Sequence, residues 1–360
     1  AAIASYNTAL QLKPNYPDAH NNMGNALKEQ GNLSAAIASY KTALQLNPNY
    51  PDAHYNLGNA LKEQGELSTA IDSYNTALQI KPNYPDAHYN LGNALQAQGD
   101  LDAAIASYNT ALKLKPNYPN AHINLGIALQ EQGNLDAAIA SYNTALQLKP
   151  NFTEAHYSLG NALQEQGDLD AAIASYNTAL KLKSNYLDAH INMGNALKEQ
   201  GDLDAAIASY NTALQLKPNY PDAHLNSSLT MLLGGDYKNG WGKYEWRYKK
   251  EKDSAKPHAI PKCIPWSGET ALTQINELLL VTEQGLGDTL QFMRYVNTLR
   301  QLGSTVSFCA QPKLHSLIQT SGIDPAPLTP KQANQVSKGQ WIPLLSVPRH
   351  LEVSPDNPVI

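Results

Sequence analysis

Apolar and small residues recur along most of this chain with the spacing of an α-helix, in paired blocks separated by polar breaks. In one unit Leu57, Ala60 and Leu61 share a face, and Ala70, Ile71, Tyr74, Ala77 and Leu78 follow at helical spacing. The pattern predicts a first helix starting near Asp52, which can cap it, with Pro51 just ahead. Gly65 ends that helix at a position favouring left-handed backbone. A second helix starts near Leu67 and stops before Lys81-Pro82. Ala and Gly at the contact positions let the two helices approach closely, and Tyr74 with its copies is expected to fill the space between units.

The unit repeats every 34 residues, as from Gly58 to Gly92. Glycines recur at 24, 58, 92, 126, 160 and 194, and again at 31, 65, 99, 133, 167, 201 and 235. Prolines recur at 14, 48, 82, 116, 150 and 218, with Ser184 in the gap. Six full units span 17–220, a half unit precedes them, and a degenerate seventh follows from Pro221, with Ser228 in place of the usual Gly. Leu57, Gly58, Gly65, Ala70, Tyr74, Ala77 and Pro82 resemble the tetratricopeptide-repeat (TPR) family pattern. The resemblance covers residues 1–250 and implies a mainly α fold, a right-handed superhelix (α-solenoid) whose concave wall, built from the first helices, binds a protein or peptide.

Two asparagine series mark those first helices: Asn22, Asn56, Asn90, Asn124, Asn192 and Asn226, broken by Ser158, and Asn25, Asn59, Asn93, Asn161 and Asn195, broken by Ile127. Asn is a poor helix-interior residue, so repeating it has a small cost. A row of amides facing a groove can hydrogen-bond an extended peptide backbone without reading its sequence. The same amides can instead bond one another or the backbone, or be copies left by duplication. The row resembles the asparagine ladder of eukaryotic O-linked N-acetylglucosamine transferase, which implies peptide contact by the first series. A clamp for acidic C-termini would need Lys or Arg where Asn21, Tyr55, Tyr89, Ile123, Tyr157 and Ile191 stand.

Composition narrows the function. A formal net charge of −5 argues against a nucleic-acid partner. Cys263 and Cys309, 46 residues apart and outside any CxxC spacing, read as thiols of a reducing, cytoplasmic compartment. No apolar run reaches the roughly 18 residues of a membrane span. The chain opens inside a repeat, so an upstream targeting segment stays open. Histidines 20, 54, 88, 122, 156, 190 and 224 sit on successive first helices, roughly 8–10 Å or more apart. Zinc needs its nitrogens at about 2.0–2.1 Å, so no metal site is expected.

After Lys250 the helical period stops. Residues 251–268 read as a linker, preceded by an aromatic, basic helix end at Trp241, Tyr244, Trp246 and Arg247 that could dock on a following domain. From 269 to 360 the pattern predicts β-α-β-α-β, an incomplete Rossmann-like α/β domain: strands at Ile275–Val281, Thr305–Cys309 and Ile342–Leu345, helices at Thr289–Leu302 and Lys313–Thr320. The glycine-rich turn 283–288 fails as a dinucleotide fingerprint, with Leu290 at the third glycine position and no acid after the second strand. Its amides at Gly285 and Gly287 could face a phosphate.

The run Leu280–Phe292, with Trp266-Ser267-Gly268 and Pro343–Pro348, resembles the N-terminal half of GT-B glycosyltransferases, as in bacterial TPR–glycosyltransferase proteins. The resemblance spans 236–360. It implies a nucleotide sugar as donor substrate and Asp288 as a general base toward an acceptor hydroxyl. The residues alone allow Asp288 to be a helix cap instead. About 90 residues follow Gly268, short of one complete half, so this chain is expected to bind no cofactor and to be inactive in glycosyl transfer by itself. The reading is thus a peptide-binding TPR scaffold, or the substrate-recruiting part of a glycosyltransferase.

Overall fold

The computed structural model describes residues 2–250, 256–268 and 270–354. The chain divides into two compact units between Tyr186 and Leu187.

The first unit is entirely helical. After Ala2–Leu12 come five helix pairs, whose first helices are Pro17–Glu29, Pro51–Gln64, Pro85–Gln98, Pro119–Glu131 and Thr153–Gln166. The second helices are Leu33–Leu46, Leu67–Ile80, Leu101–Leu114, Leu135–Leu148 and Leu169–Leu182. Asp52 is not the cap expected of it. Pro51 is the first helical residue, Tyr50 precedes it without a side-chain cap, and Asp52 lies in the first turn. A carboxylate there still favours the helix dipole. The capping side chains belong to the second helices: Asn32, Asp100, Asn134 and Asp168 each accept from the amide three residues on. Gly65 closes its helix at φ 89°.

Tyrosine holds each pair together. A Cβ added to Gly58 would lie 2.7 Å from the Tyr74 ring, and one on Gly92 2.6 Å from Tyr108. Only glycine lets the ring lie on the opposing helix. The tyrosines therefore pack within their own repeat, and Tyr108 and Tyr142 also reach Asn124 and Ser158 of the next one, so they serve the space between repeats as well. Fully buried alanines such as Ala60, Ala70 and Ala77 complete the close approach. After the second helices, except Leu33–Leu46 where Asn47 stands, a lysine lies over the aromatic residue three positions on, as Lys81 over Tyr84 at 4.4 Å and Lys149 over Phe152 at 3.9 Å.

The second unit starts with the pair Leu187–Gln200 and Leu203–Leu216, then Pro221–Leu233 and Tyr237–Tyr244. In this last pair Ser228 replaces the glycine and donates to the Gly240 carbonyl at 2.9 Å. A Cβ on Gly240 would lie 2.7 Å from Leu232, so the small residue has moved to the other helix. Tyr244, at the position of Tyr210 one period earlier, now packs with Trp241 against the core of a four-stranded parallel sheet.

The strands are β1 (Ile264–Pro265), β2 (Glu277–Val281), β3 (Thr305–Cys309) and β4 (Gln340–Pro343), in the order β1-β4-β2-β3. Val281 pairs with both Cys309 and Pro343. β1 falls in the stretch read as a linker, where Ala259 and Cys263 are also buried; residues 251–255 of that stretch lie outside the described residues. The expected helix 289–302 is two helices, Leu286–Phe292 and Arg294–Gln301.

A buried ion pair ties Glu245–Lys249 to the sheet. Arg247 and Glu283 are each 1% exposed. The guanidinium donates to Glu283 Oε1 at 3.0 Å, to Ser346 at 2.8 Å and to Glu245 at 2.8 Å. Burial pushes the Glu283 carboxyl up, and the guanidinium, the Tyr248 hydroxyl and the Leu345 amide oppose that.

Two outcomes follow from this packing. Gly92→Ala should destabilise the repeats by about 1–3 kcal/mol through overpacking, more than the ~1 kcal/mol that alanine gains in a helix. Urea unfolding checks it, and a variant more stable than the parent contradicts it. Arg247→Ala strands a buried carboxylate and should cost about 3–5 kcal/mol. Loss of near-UV circular dichroism at a lower temperature than in the parent is the readout, and an unchanged melt contradicts it.

Candidate functional site

The asparagines of the two series lie half-buried, Asn22 exposed, and those whose bonds are described belong to hydrogen-bonded clusters of one recurring design. It starts at the inter-helix tyrosines. Burial raises their hydroxyls, to about 12 for Tyr40 and Tyr210, so they stay protonated and donate. Tyr40, Tyr74, Tyr108 and Tyr176 donate to the Oδ1 of Asn25, Asn59, Asn93 and Asn161 at 2.7–2.8 Å. In the second unit Tyr210 does the same to Asn195 at 2.8 Å. The hydroxyl thereby orients the amides of Asn25, Asn59 and Asn195, while Tyr108 and Tyr176 have a second acceptor, Gln96 or Gln164, for the same hydrogen.

The first series closes the network from the next repeat. Asn90 donates to Asn59 Oδ1 at 3.1 Å and to the Tyr55 hydroxyl at 2.8 Å. Asn124 donates to Asn93 Oδ1 at 2.7 Å and to the Tyr89 hydroxyl at 3.1 Å. Asn226 donates to Asn195 at 3.1 Å. Asn56 reaches Asn21, which stands where later repeats have Tyr55 or Tyr89, at 3.0 Å. Asn192 sits half-buried on Leu187–Gln200. The two sequence series are thus one structure, and Tyr55 and Tyr89 are members the sequence reading missed. The constant step of 35 residues from each of these tyrosines to a first-series asparagine, as from Tyr55 to Asn90, was the available signal.

Valence decides what the network still offers. Asn90 and Asn124 spend both amide hydrogens internally. Asn124 keeps its Oδ1 as an acceptor. Asn25 and Asn59 keep their amide hydrogens, and Tyr55 and Tyr89, which accept from asparagine, keep their O–H. The first helices therefore offer both donors and an acceptor, the two kinds of group that an extended backbone with its own C=O and N–H groups can meet.

The TPR repeat model matches residues 1–31, 24–65, 58–99, 92–133, 129–167, 160–201 and 194–229. The chain belongs to the TPR repeat family. Its seven TPR repeats span residues 1–229. No curated protein matches the chain. Similar solved structures include the C-terminal part of a TPR repeat-containing protein from Cytophaga hutchinsonii, at 20% identity over 62% of this chain and 92% of that one, TM-score 0.52. PilF of Pseudomonas aeruginosa is 20% identical over 57% of this chain and 94% of its own, TM-score 0.51. YrrB, described as a TPR protein with an unusual peptide-binding site, is 23% identical over 51% and 95%, TM-score 0.46. At these identities the first two show the fold of the TPR helix pairs.

The TPR histidines have a structural partner. His20, His54, His88, His122, His156 and His224 each bond, through Nε2, the carbonyl of the proline six residues upstream at 2.8–3.1 Å. A carbonyl only accepts, so Nε2 carries the proton. Among the described residues no cluster of metal-ligating side chains forms, and no helix is long and apolar enough to cross a membrane.

The TPR matches end before the α/β region. There Asp288 lies half-buried in the first turn of Leu286–Phe292, where its Oδ2 accepts from the Gly285 amide at 3.0 Å. That is the capping geometry the residues alone allowed. It also takes up the Gly285 amide that a phosphate would need, while Gly287 lies exposed on the same turn.

Proposed function

We propose that this TPR protein is a protein-binding scaffold whose first-helix face holds an extended polypeptide segment through the asparagine–tyrosine network. The observation that carries the reading is the residual hydrogen-bonding capacity of that network. Asn124 Oδ1 suits a backbone N–H, and the Asn25 and Asn59 amides and the Tyr55 and Tyr89 hydroxyls suit a backbone C=O. Backbone recognition of this kind is tolerant of sequence. The clamp alternative stays out, because Tyr55, Tyr89 and Ile123 stand where its cations would be. The contact residues proposed are Asn22, Asn56, Asn90, Asn124, Asn192 and Asn226 with Asn25, Asn59, Asn93, Asn161 and Asn195.

The alternative keeps the scaffold and makes it the recruiting arm of a nucleotide-sugar-dependent glycosyltransferase. The resemblance of residues 236–360 and the all-parallel sheet support it. In that reading Asp288 would have to exchange its capping bond for an acceptor hydroxyl. Asp288→Ala in a protein that turns over a nucleotide sugar decides it: full activity removes the base assignment.

For the scaffold, a fluorescent peptide of about a dozen Gly, Ser and Asn residues with one central Leu serves as probe. Asn56→Ala, Asn90→Ala and Asn124→Ala together should weaken its binding at least tenfold, about 1.4 kcal/mol, with helical circular dichroism retained. Unchanged affinity contradicts the proposal.

A further inference from the structure

We infer that the fourth and fifth helix pairs carry a pocket for one bulky apolar side chain of the bound segment, which gives an otherwise sequence-tolerant face a point of selectivity. The inference rests on the scaffold reading above and adds a chemical class of partner residue to it.

The repeats are nearly identical, so each departure from them has its own internal control. Four departures meet at one place. Ile123 stands where the neighbouring repeats have Tyr89 and Tyr157, and Ile127 where they have Asn93 and Asn161. Phe152 replaces the tyrosine seen as Tyr118 and Tyr186, and Ser158 replaces the asparagine seen as Asn90 and Asn124. Every one of these changes removes an amide or a hydroxyl except the last, which shortens an amide to a hydroxyl.

The hydrogen bonds explain why they go together. Asn90 needs the acceptors Tyr55 and Asn59, and Asn124 needs Tyr89 and Asn93. By the same register, residue 158 would need residues 123 and 127, and both are isoleucine. An asparagine at 158 would face two apolar side chains with both amide hydrogens unmatched, which is costly in a half-buried site. The inter-helix tyrosine loses one of two partners: Tyr108 and Tyr176 reach both an asparagine and a glutamine, whereas Tyr142 donates to Gln130 at 3.0 Å and Ile127 cannot accept.

The smaller Ser158 leaves space. A pocket of 380 Å³ opens there, lined by Tyr89, Ile123, Ile127, Phe152, Tyr157 and Ser158 among others. That is at the lower end of the roughly 300–1,000 Å³ typical of ligand sites, the scale of a side chain rather than a cofactor. A second pocket of 360 Å³ shares Ile127 and Ser158 and is polar beyond them, with Glu131 and Glu165 in its lining. The apolar pocket lies beside Asn124, which also lines it and whose Oδ1 can take a backbone N–H. An extended segment can therefore bond the network on one side and drop a Leu, Ile, Met or Phe side chain into the gap. Burial of that apolar surface supplies the preference.

The test compares host peptides of about a dozen Gly, Ser and Asn residues with a single central guest, Leu, Phe, Ala or Asp. Binding is read by fluorescence anisotropy on the full chain and on an Ile127→Asn/Ser158→Asn variant. That variant restores residues its neighbours carry at the same positions, so it should fold, and its melt verifies this. On the parent, Leu or Phe should bind roughly tenfold tighter than Ala, and Asp no better than Ala. On the variant, the Leu and Phe peptides should bind no tighter than the Ala peptide measured on that same variant. Equal binding of all guests to the parent overturns the pocket and leaves the scaffold standing. A preference that persists in the variant places the selectivity elsewhere and also overturns the pocket. Absence of binding by any guest overturns the scaffold reading and the pocket with it.

Discussion

The repeats depend on one contact, a tyrosine ring lying on a glycine of the facing helix. With Gly92 at the crossing, the ring of Tyr108 is fully buried and its position is settled by packing alone. The hydroxyl then emerges at a fixed point on the first helix. There the side chain fifteen residues earlier can accept, and in five described repeats that residue is asparagine. The second asparagine series is thus an outgrowth of core packing, and the first series, bonding across to it, joins one repeat to the next. Where the glycine is lost, at Ser228, the tyrosine position is released to pack on the sheet instead.

Structural and binding roles are accordingly not competitors for the same atoms. The internal bonds occupy particular hydrogens and lone pairs, and orient the rest. A long flexible side chain would lose rotamer freedom on meeting a peptide, whereas an amide already held by a tyrosine and a neighbour has lost it beforehand. Preorganisation of this kind suits a face that recognises backbone. The isoleucine gap shows the same logic in reverse, since removing the acceptors removes the reason for the donor.

Much of this was legible in the residues. The period of 34, the glycine that ends Pro51–Gln64, and the starts of the second helices all follow from local rules, and the structure has them where those rules put them. Asp52 did not, because Pro51 at the first helical position moves the helix start ahead of it. The partner of Tyr74 was hidden for a different reason. Periodicity says which residues share a face, and says nothing of which opposing helix they meet. The sheet was legible as strands and helices but not as an order, since β4 inserts between β1 and β2 through pairings of high sequence separation. The Arg247–Glu283 pair was half legible: the aromatic, basic helix end read as a docking element, but nothing in the glycine-rich turn marked Glu283 as the buried partner of Arg247.

The claim that the asparagine–tyrosine face is the binding surface can be tested most directly by side-chain amide NMR. The chain would be labelled with ¹⁵N at asparagine only and titrated with the Leu-guest peptide. The account predicts that the Nδ2 resonances of Asn56, Asn59, Asn90 and Asn124 shift with one common affinity, while those of asparagines on the second helices, such as Asn75 and Asn109, stay in place. Shifts confined to the second-helix asparagines, with the first-helix amides unmoved at saturation, would contradict it.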